Sequence, residues 1–361
     1  GKLPIWPLMG SETDCMVGYP AVPVVADAIF KGFKGIDPQL AFEAMKASSM
    51  RDDYGVNYLK AKGYIPADKE KESVSKALEY ALSDWAIAQL AQKLGKQSDY
   101  EYYAKRAKAY TAYFDPKTGF MRPKLDNGKF REPLDPFRSI HEWGDYTEGN
   151  AWQYTWLVPQ DVEGLISLFG GEKLFVQKLD SLFIVQGDMG DNASPDISGL
   201  IGQYAHGNEP SHHIAYLYAY AGQQWKTAEK IRYILENHYF DKPAGLSGNE
   251  DCGQMSAWYV LSSLGFYQVN PASGCFVFGS PLFDRASLVL SAGKRFTINV
   301  RKPGTTNIYI QSVKLNGKPY SHSFITYKEI MDGGTLEFVM GDQPNKDFGA
   351  KPEDRPQSRV F

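Results

Sequence analysis

The sequence has few cysteines, no long hydrophobic run and no marked excess of either charge, and each shortage excludes a class of protein. Its 361 residues include three cysteines, Cys15, Cys252 and Cys275. Their spacing matches no metal site, and an odd number gives no disulfide framework. No run of 18 apolar residues occurs, so no membrane span is predicted. The formal net charge is -3, and without a basic stripe no nucleic-acid partner is expected.

Motifs for several other chemistries are also missing. The chain has no GxGxxG, P-loop or HExxH sequence and no GxSxG elbow. Aromatic residues make up 14% of the chain, which suits either a dense core or a cleft that stacks on sugars. The first residues, "GKLPIWPLMG", contain no signal peptide and do not start with Met. We therefore expect this chain to start within a longer protein.

Residues 1–269 are predicted to form roughly ten helices joined by polar loops. Apolar residues recur at helical spacing in "SVSKALEYALSDWAIAQLAQKLG", where Ser73 is the expected N-cap and Gly95 the end. Asp37 followed by Pro38 predicts another helix start. Paired helices without interleaved strands favour an (α/α)6 toroid. About twelve helices close such a ring, so we expect it to be incomplete in this chain.

The residue pattern of the sequence changes near residue 270. Residues 270–345 contain short β-rich runs separated by Gly, Asn and Pro, and "LNGKPY" has an Asn-Gly hairpin signal. We predict a small β-sandwich-like region there. Residues 346–361 are polar and contain proline, so they are expected to be extended or disordered.

Three stretches carry candidate chemistry. In "HGNEPSHH", Asn208 and Glu209 offer the oxygen ligands that Ca²⁺ prefers, although they would also suit the start of a helix. In "HEWGDYTEGNAWQYTW", three carboxyl groups precede Trp152 and Trp156, aromatic residues that can raise the pKa of a general acid: Glu142, Asp145 and Glu148. The alternative is a surface acidic loop that leads into a buried aromatic helix.

The third stretch, "GNEDCGQ", places Glu250 and Asp251 between glycines before an apolar helix. One acid is enough to cap a helix, so capping and catalysis are both open for this pair. Together the three stretches supply separated carboxylates with aromatic walls, the combination that glycoside hydrolysis requires.

At these residues the sequence resembles the glycoside hydrolase family 92 α-mannosidases. The matching segments are "DCMVGYPAVPVVADA", "DYTEGNAWQYTWLVPQDVEGL", "GNEPSHHIAYLY", "GNEDCGQMSAWYVLSSLGFYQV" and "GSPLFDRASL", in the expected order. The resemblance implies an exported, Ca²⁺-dependent, exo-acting and inverting α-mannosidase of glycans such as N-glycans or mannans. It also implies an N-terminal β-sandwich of the same protein that packs on the (α/α)6 domain and is absent from this chain.

The resemblance assigns roles to individual residues. Glu148 would be the general acid and Asp251 the general base, with Glu250 a candidate to support the base. Ca²⁺ would be held by Asn208, Glu209 and Gln153. The substrate would be bound by Trp152, His206, His212 and Asn249.

Two positions depart from the family pattern. Many members carry an acid where this chain has Asn249, and a His where it has Pro20. Both differences bear on linkage preference, and on whether a mannose-phosphate bond is the target. Alternatives are another toroid glycosidase, a polysaccharide lyase, or a carbohydrate-binding protein without catalysis.

Overall fold

The computed structural model describes residues 2–360. Packing divides the chain into two units, Gly1–Ala205 and His206–Phe361. The helices that follow His206 thus belong to the same unit as the sheets, whereas the sequence analysis placed a boundary at residue 270. None of the helices within residues 2–360 is long and apolar enough to cross a membrane.

The first unit is mainly helical. Its strands form three two-stranded ribbons: β1 (Pro7–Leu8) with β2 (Ser11–Glu12), β3 (Phe114–Asp115) with β4 (Phe120–Met121), and β5 (Leu200–Ile201) with β6 (Tyr204–Ala205). Its helices are α1 (Ala21–Phe30), α2 (Pro38–Ser49), α3 (Val56–Lys62), α4 (Ser73–Lys93), α5 (Gln97–Arg106), α6 (Ala151–Tyr154), α7 (Val162–Leu168) and α8 (Glu172–Leu182).

Helix α4 is the centre of this unit, and α1, α2 and α5 pack around it. Apolar and small residues cover nearly its whole circumference, as expected of a buried helix. One buried charge pair joins it to α5, where Arg106 Nε donates to Asp84 Oδ2 at 2.8 Å. The Tyr19 hydroxyl donates to the other oxygen of Asp84 at 2.6 Å.

The predicted starts of two helices had different outcomes. Asp37 caps α2, since its side chain accepts from the backbone N–H groups of Gln39 and Leu40, as expected. The prediction for Ser73 was wrong: it is the first residue of α4, and its hydroxyl has no partner within residues 2–360. Instead, the carbonyl of Asp145 accepts from the Val74 N–H at 3.1 Å. A distant loop therefore caps this helix, which sequence-local rules do not detect.

The second unit begins with helical segments. Two 3₁₀ helices, Glu209–Ser211 and Ile214–Ala221, precede α9 (Gln224–Asn237) and α10 (Gln254–Leu264). The second 3₁₀ helix and α9 meet at Gly222, which has a left-handed φ of 69°. Ten α-helices thus begin before residue 270 within residues 2–360, in agreement with the expected number. Closure of a toroid stays a prediction.

The predicted β-rich region is confirmed and contains two sheets. A five-stranded sheet has the order β12-β11-β14-β10-β9, and a three-stranded sheet the order β13-β8-β7. The strands are β7 (Phe266–Tyr267), β8 (Cys275–Phe278), β9 (Arg285–Val289), β10 (Arg295–Arg301), β11 (Tyr309–Leu315), β12 (Lys318–Pro319), β13 (Phe324–Thr326) and β14 (Gly334–Gly341). Both sheets contribute to one apolar core, which includes Phe278 and Phe338.

Two local features of this region differ in how well sequence predicted them. Asn316 and Gly317 form the expected two-residue turn between β11 and β12, both with positive φ. A short helix, α11 (Tyr327–Asp332), was not predicted, although Thr326 and Glu329 form a capping box at its start.

The tail after residue 345 is irregular and packs against the second unit, whereas its composition predicted an extended or disordered segment. Phe348 is buried in the apolar core between the sheets. Ser323 N–H donates to the Asp354 carbonyl at 2.8 Å. Arg355 donates back to the carbonyl of Ala350 at 2.7 Å. One aromatic anchor and these hydrogen bonds fix a segment whose composition alone suggests a loose chain.

Candidate active site

The loop that carries the predicted acid is held from two sides. Ser75, on α4, accepts from the Thr147 N–H at 2.7 Å. On the other side Gly149 lies so close to Tyr154 that a Cβ would stand 2.7 Å from its ring. Between these anchors Glu148 is half-buried and has φ of 48°, in the left-handed region. Such backbone strain in a non-glycine residue occurs often at functional sites.

Directly after the acid, a capping box begins helix α6. The Asn150 side chain accepts from the N–H groups of Trp152 and Gln153, and Gln153 Oε1 accepts from Asn150 N–H at 2.8 Å. Gln153 also donates to the Gln203 carbonyl at 2.9 Å. An amide oxygen has two lone pairs, so coordination of a metal by Gln153 would use the second one.

Trp152 is part of a buried cluster. Its ring meets Phe120 edge-on, with 4.8 Å between ring centres, and the Lys178 ammonium lies 4.4 Å from the Trp152 ring. The side chain is 7% exposed in this chain. This packing supports the end of the loop that carries Glu148. Contact of Trp152 with substrate stays a prediction.

A second carboxylate, which the sequence analysis did not single out, lies on helix α4 near Tyr154. Glu79 is one helical turn after Ser75 on α4. Glu79 and Glu148 both act electrostatically on the buried Tyr154, to which Ser75 is hydrogen-bonded. Glu79 is half-buried and forms no hydrogen bond or ion pair within residues 2–360. Desolvation raises its pKa to about 7. The only sequence signal was one acid on an otherwise buried helical face.

The predicted base lies in a sharply bent loop of the second unit. Three consecutive residues, Asp251, Cys252 and Gly253, have positive φ of 52°, 56° and 100°. Helix α10 follows at once. A turn of this kind presents the side chain of Asp251 at the end of a rigid helix, which is the arrangement expected of a positioned functional group.

The two adjacent acids of this loop have different roles. The Glu250 carboxylate accepts from Ser256 N–H at 3.0 Å and from the Ser256 hydroxyl at 2.9 Å. Glu250 therefore satisfies one of the N–H groups in the first turn of helix α10. The Asp251 carboxylate has no hydrogen bond or ion pair with any of residues 2–360. Of the two, Asp251 is the one available for chemistry, and support of the base by Glu250 stays a prediction.

The base loop touches the loop with the predicted calcium ligands. A Cβ on Gly248 would lie 2.2 Å from the Gly207 carbonyl oxygen, so only glycine fits there. This contact brings Asn249, which is exposed, and the Asp251 turn beside Asn208 and Glu209. Asn208 is buried and has extended backbone, whereas Glu209 is half-buried and begins a 3₁₀ helix.

Two predicted substrate-binding histidines lie beneath these loops. His206 is 0% and His212 is 2% exposed. Gln254 Nε2 donates to His212 Nδ1 at 2.9 Å, and His212 Nε2 donates to the His206 carbonyl at 3.0 Å. Desolvation lowers the pKa of His212 to about 4 and holds that of His206 well below its usual range. Both rings are thus neutral supports of the loops, and direct contact with substrate stays a prediction.

A calcium ion would be held mainly by amide oxygens in the predicted set. Within residues 2–360 no group of three or more His, Cys, Asp and Glu side chains is arranged to hold a metal. The predicted set of Asn208, Glu209 and Gln153 contains one carboxylate and two amides. These oxygen donors fit the chemistry of Ca²⁺ and would not suit a softer metal.

Known proteins resemble this chain closely. A profile of the glycosyl hydrolase family 92 catalytic domain matches residues 1–342. A family GH92 α-mannosidase of Bacteroides thetaiotaomicron, solved with mannoimidazole, is 45% identical with a TM-score of 0.94, over 98% of this chain and 47% of that one. A family GH92 inverting mannosidase from Bacteroides thetaiotaomicron VPI-5482 is 35% identical with a TM-score of 0.88, over 98% of this chain and 50% of that one.

A curated relative, an uncharacterized secreted glycosidase of Arthroderma benhamiae, is 29% identical over 93% of this chain and 46% of its own length. The chain therefore spans about half the length of the relatives that it matches. Because the family profile covers nearly all of its residues, this chain belongs to glycosyl hydrolase family 92.

Proposed function

We propose that the protein to which this chain belongs is an exo-acting α-mannosidase that inverts the anomeric centre. The observation that carries the proposal is the separation of roles between neighbouring acids. Glu250 caps a helix, while Asp251 and Glu148 both stand on left-handed backbone in loops anchored on rigid helices. The similar solved structures are described as mannosidases, one of them inverting, which supports this reaction.

In the proposed reaction Glu148 donates its proton to the glycosidic oxygen as the bond to the anomeric carbon breaks. Asp251 takes a proton from a water that attacks the opposite face of that carbon. The leaving group departs as an alcohol, and the sugar is released as β-mannose. Inversion requires about 6.5–9.5 Å between the two carboxyl groups in the assembled site.

Ca²⁺ belongs to the proposal as a bound cofactor. When bound, it would supply positive charge to the sugar hydroxyls and favour a distorted ring. Asn208 and Glu209 would hold it, with Gln153 as a further ligand. The Gly248–Gly207 contact would keep this pair of ligands next to the base.

The substrate class and location follow from the same resemblance. We propose terminal α-linked mannose of glycans such as N-glycans or mannans as substrate, and export from the cell. A relative described as a secreted glycosidase supports export. The N-terminal β-sandwich expected from the resemblance stays a prediction as a partner of this chain.

Kinetics on two substrates of the full-length protein test the catalytic roles. An α-linked mannobiose needs a proton donor for its leaving group, whereas α-mannosyl fluoride releases fluoride with little need for one. We expect Glu148→Gln to lose roughly 10²- to 10⁴-fold in kcat on mannobiose and much less on the fluoride. Asp251→Asn should lose activity on both substrates. NMR of the wild-type reaction should show β-mannose as the first product.

Two controls complete the test. Glu250→Gln removes the neighbouring carboxylate and should mainly reduce thermal stability, by a helix-cap loss of about 1 kcal/mol. EDTA should abolish mannose release and Ca²⁺ restore it. Full activity of Asp251→Asn, or retention of the α anomer, would overturn the assignment of roles. Release indifferent to EDTA would remove the calcium and its ligands from the proposal.

A further inference from the structure

Beside the acid loop the first unit has a cavity of about 590 Å³. Its wall is formed by the loop at 67–71, by residues between 123 and 138, and by the loop from Ile140 to Gly149. The volume lies within the range of about 300–1,000 Å³ typical of ligand pockets. None of the individual residues that line this cavity has been assigned a catalytic, substrate-binding or metal-binding role above.

Trp143 stands at this cavity and is 77% exposed, more than any other aromatic side chain among residues 2–360. An indole left in water forgoes a large apolar burial, and in the wall of a cavity its face is available to pack on a ligand. Lys71 places its ammonium 4.9 Å from the ring centre.

The turn that carries Trp143 is anchored rather than loose. Gly144 N–H donates to the Ile140 carbonyl at 3.0 Å, and the Gly144 carbonyl accepts from Glu72 N–H at 2.7 Å. On the preceding side, His141 N–H donates to the Asn192 carbonyl at 2.9 Å. The backbone that carries the indole is therefore held in place, which lowers the entropic cost of binding against it.

Charged groups in the same wall can bind hydroxyl groups. Arg131 Nε lies 3.3 Å from Asp145 Oδ2, and Arg138 and Asp135 also line the cavity. Desolvation raises the pKa of Asp145, and Arg131 opposes this rise. A flat indole with carboxylates and guanidinium groups around it suits a sugar, whose ring face is apolar and whose hydroxyls both donate and accept.

The cavity also has the right position relative to the acid. Gly149, the residue that follows Glu148, is part of its wall. A general acid must lie within hydrogen-bond reach of the oxygen that it protonates, about 2.6–3.2 Å. The leaving group is therefore next to Glu148 when the bond breaks, and a cavity whose wall includes the adjacent residue Gly149 lies within reach of it.

We propose that this cavity is the subsite for the leaving-group saccharide, with Trp143 as the stacking platform that determines specificity. The inference rests on the proposed function and deepens it. Trp143 binds the part of the glycan that departs, and the mannose that is released is bound elsewhere. Substrates whose leaving group is not a saccharide gain nothing from this residue.

The test compares full-length Trp143→Ala with the wild type on α-linked mannobioses and on α-mannosyl fluoride. We expect kcat/KM on the preferred mannobiose to fall by roughly 30-fold, the size of a truncated tryptophan hot spot. On the fluoride, kcat/KM should stay within about twofold, because fluoride does not occupy the subsite. Trp143→Phe keeps a ring and should recover part of the loss on the mannobiose.

Phe33→Ala is the matched control, since Phe33 is also exposed in the first unit but lies outside the cavity. This variant should leave kcat/KM unchanged on both substrates. An equal loss on both substrates with Trp143→Ala, or no loss on any mannobiose, would overturn the subsite. A wild-type protein that hydrolyses neither substrate would instead overturn the proposed function, and this inference with it.

Discussion

The carboxyl group of Glu79 is half-buried, so its ionisation reduces the stability of the folded protein. The variant Glu79→Gln should reveal this loss of stability. The side chain lies on helix α4 near Tyr154, without a hydrogen bond or ion pair within residues 2–360. Desolvation alone raises its pKa from 4.5 to about 7. Glutamine has nearly the same shape and cannot ionise, so the substitution removes the charge and little else.

The pH window follows from the direction of the shift. Below about pH 4.5 the carboxyl group is protonated in both folded and unfolded states and costs nothing. Between pH 4.5 and about 7 the unfolded state loses its proton first, so stability falls as pH rises, and above about 7 the penalty is complete. The shift corresponds to about 3 kcal/mol as an upper limit, because one pKa unit is about 1.4 kcal/mol.

Thermal unfolding of wild type and Glu79→Gln from pH 4 to 8 measures this penalty as the difference between the two proteins. The first unit has about 200 residues, for which 1 kcal/mol shifts Tm by roughly 2–4 °C. We expect the variant to gain up to about 6–12 °C over the wild type between pH 4 and pH 8. Glu43→Gln, on the exposed side of α2, controls for the loss of one negative charge.

A difference between wild type and variant that does not grow with pH would refute the reasoning about Glu79. Activity gives an independent readout, since a costly carboxylate is expected to persist where function uses it. We therefore expect the stabilised variant to lose activity.

Three further predictions concern the second unit and the buried ion pair. Gly248→Ala forces a Cβ against the Gly207 carbonyl oxygen and should reduce mannosidase activity and Ca²⁺ affinity together, measured by kinetics and calorimetry; unchanged values would contradict a coupling of the two loops. His212, whose pKa is lowered to about 4, binds fewer protons folded than unfolded, so stability should fall as pH drops from about 6.5 to 4; acid unfolding of His212→Gln that matches the wild type would contradict this. Asp84→Ala leaves Arg106 buried without its partner and should destabilise the protein by about 3–5 kcal/mol in urea, whereas a loss under 1 kcal/mol would show that the pair is dispensable.

Local sequence rules succeeded where the interactions themselves are local. The cap of Asp37 on α2 and the turn at Asn316 and Gly317 involve residues within three positions of each other. The same rules failed at Ser73, because the atoms that cap α4 come from a loop about 70 residues later in the chain. They also did not predict how the tail packs, because Phe348 lies in a core built by other segments.

The candidate site shows the same division. Sequence identified the glycine-flanked pair Glu250 and Asp251, but capping and catalysis remained open for both. Only the hydrogen bonds from Ser256 to Glu250 separate the capping acid from the unengaged one. His206 and His212 looked like candidate ligands of substrate, and burial makes them neutral supports of the loops.

The sequence by itself determined the family, the order of helices and strands, and the short list of acids and amides at the site, because motifs and periodicity are written in neighbouring residues. Tertiary structure decided which groups are desolvated, which are paired and which face a cavity. Glu79 and Trp143 illustrate this, since one is an ordinary acid in a helix and the other an ordinary aromatic in a loop. The pKa of Glu79 and the exposure of Trp143 depend on which atoms from distant parts of the chain lie near them after folding.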